Sequence, residues 1–88
     1  MDVAERIKLF DEKCDDIDIP YKEYINEFKK EFPELYYAEL PSAISIGKMI
    51  RYVTSGNHKG AVKAFYSKRI FAFEYEQDKT FFLLKYGK

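Results

Sequence analysis

The 88-residue sequence has little of what marks several specialised protein classes. It holds a single cysteine, so no disulfide forms within the chain, which is typical of a reducing compartment. No apolar run approaches the roughly 18 residues that a membrane-spanning helix needs, and no signal-peptide pattern opens the chain. We therefore expect a cytoplasmic protein that makes no membrane contact.

The residues for metal or phosphate chemistry are also scarce. There is one histidine, His58, and Cys14 lies far from it with no ligand-like spacing. The cluster Asp15, Asp16 and Asp18 lacks the glycine and the distant glutamate of a calcium loop. No glycine-rich phosphate loop is present either. The sequence therefore predicts a protein with no metal, no cofactor and no enzymatic activity.

Aromatic residues are abundant instead. Eight tyrosines and eight phenylalanines stand in a chain that is 47% hydrophobic. A chain of this size and composition folds around one core rather than two. We expect a single domain over residues 1–88, with a core built largely from rings.

Charge is sorted along the chain although its total is zero. Residues 1–40 carry twelve acids and six bases, whereas residues 41–88 carry nine bases and three acids. Such asymmetry between halves indicates a nucleic-acid or membrane contact on the basic side.

Three helices are predicted before residue 56. Val3, Ile7, Phe10 and Cys14 form the apolar stripe of the first, which ends near residue 15. The second runs from Pro20 to Pro33, because proline suits a first turn and disfavours helix in the residue before it. The third begins at Pro41 or Ser42 and stops at Gly56, and its expected buried residues are Ile46, Met49, Ile50 and Val53.

After residue 60 the sequence shows mainly the patterns of β-strands. Residues 61–66, 69–76 and 79–86 are rich in β-formers, with turns expected at Ser67-Lys68 and Gln77-Asp78. Ile17 and Ile19 suit a very short additional strand. The predicted class is α+β, with three helices followed by a two- to three-stranded antiparallel sheet.

The third helix has a face that carries cations and hydroxyls but no acid. Residues three or four apart share one side of a helix, and this side holds Ser45, Lys48, Arg51 and Tyr52. An acid-free face suits a phosphate-lined groove, although an ordinary solvated helix face has the same composition. Further bases follow at Lys59 and Lys63 and at the predicted hairpin tip, Lys68 and Arg69.

The order of these elements resembles the winged helix-turn-helix domain. Residues 21–32 stand for the supporting helix, 42–53 for the recognition helix and 61–75 for the wing hairpin. Residues 45–48 and 66–71 are weakly similar to the C-terminal winged-helix modules of phage and poxvirus primase-helicases. The connection over residues 33–41 departs from the pattern, because it is longer than a tight helix-turn-helix allows.

The resemblance implies a non-enzymatic protein that binds duplex DNA. A small transcriptional regulator or replication accessory factor, of phage origin and acting as a homodimer, fits this role. A second hypothesis is a protein-binding module, or a small inhibitor of a host DNA-handling enzyme, on the same fold. Its contact would lie on the acidic helices or on the aromatic face of the strands, and exposed Tyr36 and Tyr37 in the acidic half are a further candidate surface.

Overall fold

The computed structural model describes residues 2–15 and 18–86, which form four α-helices and a three-stranded antiparallel sheet. The predicted α+β class is confirmed. The order of elements differs from three helices followed by a sheet, because one strand precedes the third helix and a fourth helix follows the last strand. The backbone divides into two units, residues 1–34 and 35–88. The expectation of one domain over the whole chain stays a prediction.

The first unit contains two helices, α1 (Val3–Asp15) and α2 (Tyr21–Glu31). Asp2 caps α1 as its position suggests, since its Oδ1 accepts the Glu5 N–H at 2.8 Å. Pro20 and Pro33 flank α2 as expected. Ile17 of the predicted short strand lies outside the described residues, and Ile19 belongs to no strand.

Aromatic rings hold this unit together. The Phe10 ring of α1 packs edge-on against Phe28 and Phe32, with ring centroids 5.5 and 5.8 Å apart. The Arg6 guanidinium lies 4.9 Å from the Phe32 centroid and forms an ion pair with Glu34 at 2.7 Å. The stripe predicted for α1 is therefore the side that packs, although all four of its residues are only half-buried.

The second unit contains a sheet and two helices. Its elements in chain order are β1 (Tyr36–Glu39), α3 (Ile46–Ser55), β2 (Val62–Phe65), a 3₁₀ turn (Tyr66–Lys68), β3 (Ile70–Phe73) and α4 (Glu76–Tyr86). The strand order is β1-β3-β2, and both pairs are antiparallel. Phe73 stands opposite Tyr36 on one side and Val62 on the other, so β3 is the central strand.

The core of the second unit is a cluster of rings on the sheet. The Phe82 ring of α4 lies 4.9 Å from Phe71 and 4.7 Å from Tyr52 of α3, centroid to centroid. Met49 and Phe73 are fully buried in the same cluster. One layer of aromatic side chains thus joins both helices to the central strand.

Two predictions about secondary structure are wrong. Residues 36–39, expected as a connection, form β1, which exists because β3 supplies its hydrogen-bonding partner from far along the chain. Residues 79–86, expected as a strand, lie in α4. Glu76 and Asp78 favour a helix N-terminus, and the Phe82 ring reaches the core from a helical backbone.

The third helix also differs from its prediction. It begins at Ile46 rather than at residue 41 or 42, and its N-cap is Ser45 rather than Ser42. Its predicted C-terminal stop is confirmed, since Gly56 adopts the left-handed conformation with φ of 75°. The buried side is rotated: Ile46 and Ile50 are exposed, whereas Tyr52 is buried with Met49.

Asp78 anchors the loop between α3 and β2. Its side chain is 4% exposed, and its two carboxylate oxygens accept the N–H groups of Lys59 and Gly60 at 2.9–3.0 Å. His58 closes the other side of the loop, where its ring nitrogens lie 2.8 Å from the Gly60 carbonyl and 3.2 Å from that of Val53. The loop is therefore held by side chains rather than by a strand ladder.

We predict that Asp78→Ala lowers the free energy of unfolding by about 1–3 kcal/mol, because two backbone N–H groups lose their buried acceptor. Urea unfolding followed by circular dichroism measures this. Glu76→Ala is the matched control, since it removes the same charge from an exposed position in the same helix turn. Equal losses in the two variants would show that the Asp78 hydrogen bonds contribute nothing.

Tyr24 links the two helices of the first unit through its hydroxyl, which donates a hydrogen bond to the Asp11 carboxylate. Burial, together with this bond, raises the pKa of Tyr24 well above its usual range. The folded protein therefore holds the proton to higher pH than the unfolded chain does.

The stability that this proton contributes is present below about pH 10 and is lost as the pH rises further, because the unfolded chain then ionises first. We expect the thermal unfolding temperature of the wild type to fall more steeply above about pH 10 than that of Tyr24→Phe. Calorimetric scans across this range test it. If the unfolding temperatures of the two proteins fall equally with pH, the Tyr24 proton contributes no stability.

Candidate nucleic-acid interface

Ser45 and Gly56 cap α3, and burial of Met49 and Tyr52 decides which of its residues face solvent. Ser45 Oγ accepts the Lys48 N–H at 3.2 Å and so fixes the first turn. Lys48, Arg51 and Ser55 are exposed, and their spacing of three and four residues places them along one edge of the helix. Ile46 and Ile50 are exposed along the other edge.

Tyr52 does not share this face. It is 8% exposed, and its ring packs against Phe71 and Phe82 in the core. The prediction that it stands beside Lys48 and Arg51 in solvent is wrong. The pattern favours Ile50 as the core residue because isoleucine is more often buried than tyrosine. In the structure the larger Tyr52 ring packs on the sheet instead.

The turn between β2 and β3 carries two of the predicted bases in different roles. Arg69 adopts the left-handed conformation with φ of 52°, and its Nε donates to the Ile44 carbonyl at 3.0 Å. The turn thereby packs against the start of α3. Lys68, one residue earlier, is exposed. Arg69 thus positions the turn against the residues that precede α3, and Lys68 is exposed on that turn.

The remaining predicted bases lie apart from that edge. Lys59 is exposed in the loop before β2, and its Nζ is 3.4 Å from the Gln77 side-chain oxygen. Lys63 is half-buried on β2, with its Nζ 5.8 Å from the centroid of the Phe65 ring. Of the eight predicted site residues, the structure brings Ser45, Lys48, Arg51, Lys68 and Arg69 together around α3.

The charge separation of the sequence coincides with the two structural units. Residues 1–34 carry eleven acids and six bases, a formal charge of −5, and residues 35–88 carry nine bases and four acids, a formal charge of +5. Glu74 and Asp78, two of those four acids, accept backbone N–H groups. Among the described residues Lys48, Arg51 and Lys68 form no ion pair, whereas Arg6–Glu34 and Lys30–Glu27 both lie in the first unit.

A groove beside this edge was not predicted. It has a volume of about 520 Å³ and lies between α3 and α4. Its lining residues are Arg51, Tyr52, Ser55, Asn57, Phe81, Phe82, Leu84 and Lys85. Phe81 and Leu84 are 62% and 67% exposed, which is unusual for apolar side chains of their size. Sequence patterns could not predict this groove, because the pattern of residues 79–86 predicts a strand and the groove requires a helix there.

Residues 2–15 and 18–86 contain no cluster of three or more His, Cys, Asp or Glu side chains that suits a metal ion. Burial raises the pKa of the half-buried Cys14 thiol, and Asp11 adds to the effect. Within the same ranges no helix is both long enough and apolar enough to span a bilayer.

No protein-family model, curated protein or solved structure matches the chain.

Gly47 lies on the exposed face of α3 with open space around it. A Cβ built there would meet only Ser45 Oγ, at 3.8 Å. Neighbouring packing therefore does not require a glycine at this position.

We predict that Gly47→Ala raises the free energy of unfolding by up to about 1 kcal/mol, because alanine is the better helix former. Chemical denaturation measures the change. Gly56→Ala is the contrasting variant: its φ of 75° disfavours any side chain, so it should destabilise the protein. A destabilising Gly47→Ala would mean that α3 is packed differently from this description.

Proposed function

We propose that the protein binds duplex DNA without catalysing a reaction, and that α3 and the turn after β2 form the contact surface. The observation that carries this proposal is the set of exposed bases Lys48, Arg51 and Lys68, which have no acidic partner among the described residues. Phosphate oxygens are the groups that such bases bind most often in DNA complexes.

The proposed surface has the composition that a polyanion requires. α3 contains no acid, and its N-cap hydroxyl, that of Ser45, is exposed at the first turn and accepts the backbone N–H of Lys48. A carboxylate facing DNA would repel the phosphates, so its absence over a whole helix matters in a chain with 15 acids. In this proposal Lys48 and Lys68 contact phosphates, and Arg51 reads a base edge in the major groove.

The winged-helix resemblance remains part of the proposal. It is supported by the order of α3 and then an antiparallel hairpin with a base at its turn. The predicted supporting helix, residues 21–32, corresponds to α2, which belongs to the first unit, and β1 lies between it and α3 in the chain. Within the second unit, α3 packs on α4 through the Tyr52 and Phe82 rings.

The biological setting follows from this proposal. A small cytoplasmic regulator or replication accessory factor, phage-encoded and acting as a dimer, would use one such module per half-site.

A second candidate function is a protein contact, and the exposed pair Phe81 and Leu84 favours it. Apolar side chains of this size, exposed together, are typical of surfaces that meet another protein. A small inhibitor of a DNA-handling enzyme belongs to this class.

Fluorescence anisotropy of a labelled random duplex, titrated at several salt concentrations, tests the proposed function. We expect Lys48→Ala and Lys68→Ala each to weaken binding to every sequence and to reduce the slope of log affinity against log salt by about one. Arg51→Ala should lower the discrimination between sequences.

Lys22→Ala is the matched control, because it removes one exposed positive charge from the acidic unit. Its salt slope should equal that of the wild type. If all four proteins lose the same affinity relative to the wild type, only overall charge matters and the surface is assigned incorrectly. No binding at low salt would overturn the proposed function itself.

A further inference from the structure

The groove between α3 and α4 has features that duplex binding by α3 does not use. One wall carries Arg51 and Ser55 of α3, and the other carries Phe81, Leu84 and Lys85 of α4. Phe81 takes little part in the core, because it is 62% exposed, whereas its neighbour Phe82 is 3% exposed. Its ring is therefore available to an outside molecule.

The chemistry of the groove combines an aromatic face with positive charge. Among the eight described residues that line it, two are cations, Arg51 and Lys85, and none is an acid. Ser55 and Asn57 add hydrogen-bonding groups at the α3 end. Aromatic rings beside cations are the arrangement that binds single-stranded nucleic acid, because bases stack on the rings while the backbone follows the charge.

The groove also adjoins the proposed duplex surface. Arg51 lines the groove and stands on the same helix edge as Lys48. A volume of about 520 Å³ falls in the range of pockets that hold a small organic ligand, which suits one nucleotide better than a strand of many.

We propose that the groove binds an unpaired nucleotide at the end of a DNA duplex, with its base stacked on Phe81 and its phosphate near Lys85, beside the Arg51 that contacts the duplex. This inference rests on the proposed function, since it takes the duplex to lie on α3. The protein would then recognise junctions between paired and unpaired DNA rather than continuous duplex alone.

The test compares four labelled probes by fluorescence anisotropy: a blunt duplex, the same duplex with a short single-stranded overhang, the overhang duplex with abasic sugars in place of the unpaired bases, and the single strand alone. We expect the wild type to bind the overhang duplex about ten-fold more tightly than the blunt one, because base–aromatic stacking supplies that much. The abasic overhang should lose this advantage although it keeps the phosphates.

Phe81→Leu is the decisive variant, since it keeps an apolar side chain at an exposed position and removes only the aromatic face. It should bind blunt duplex like the wild type and lose the preference for the overhang. Tyr75→Leu is the matched control, because Tyr75 is an exposed aromatic residue of the same unit that does not line the groove. It should keep the preference.

The outcomes separate this inference from the proposed function. Binding of blunt duplex with no gain from the overhang would overturn the inference and leave the proposed function in place. If the protein binds none of the four probes, both the inference and the proposed function are wrong. If Phe81→Leu leaves DNA binding unchanged but abolishes self-association in sedimentation velocity, the groove is a protein contact and the inference is wrong.

Discussion

The central strand β3 is the element on which the second unit depends. All four of its residues, 70–73, are buried, and it supplies the hydrogen-bonding partners of both β1 and β2. Its Phe71 ring meets Tyr52 of α3 and Phe82 of α4, so one side chain fixes both helices against the sheet. Because burial of aromatic rings dominates the energetics of a small core, the orientation of α3 follows from this contact.

That orientation decides which residues face solvent. With Tyr52 in the core, Lys48 and Arg51 point away from it and Ile46 and Ile50 remain exposed. Arg69 reinforces the arrangement by donating to the Ile44 carbonyl, which holds the turn that presents Lys68 near the start of α3. The proposed DNA surface is thus a consequence of ring packing on the other side of the helix. The ten residues of α3 include no acid.

The groove and the face of α3 give the second unit two kinds of recognition in one place. Lys48 and Lys68 offer charge to a phosphate backbone, whereas Phe81 offers a flat apolar ring beside Arg51. The same exposed Phe81 and Leu84 are what a protein partner would contact. The two functions therefore differ in which atoms they need: a DNA junction needs the aromatic face and the cations, whereas a protein contact needs only the apolar area.

The sequence by itself determined the α+β class, the bounds of α1 and α2, the stop of α3 at Gly56 and the approximate positions of β2 and β3, because capping residues, prolines and alternation act locally. It also determined which half of the chain is basic. Only the tertiary structure decided that residues 36–39 form a strand, that 79–86 form a helix, and that Tyr52 rather than Ile50 is buried. The strand at residues 36–39 depends on pairing with β3. The buried positions of Tyr52 in α3 and Phe82 in α4 depend on contact with Phe71. Local sequence patterns carry no information about such tertiary partners. The groove, which α4 lines, was for that reason visible only in three dimensions.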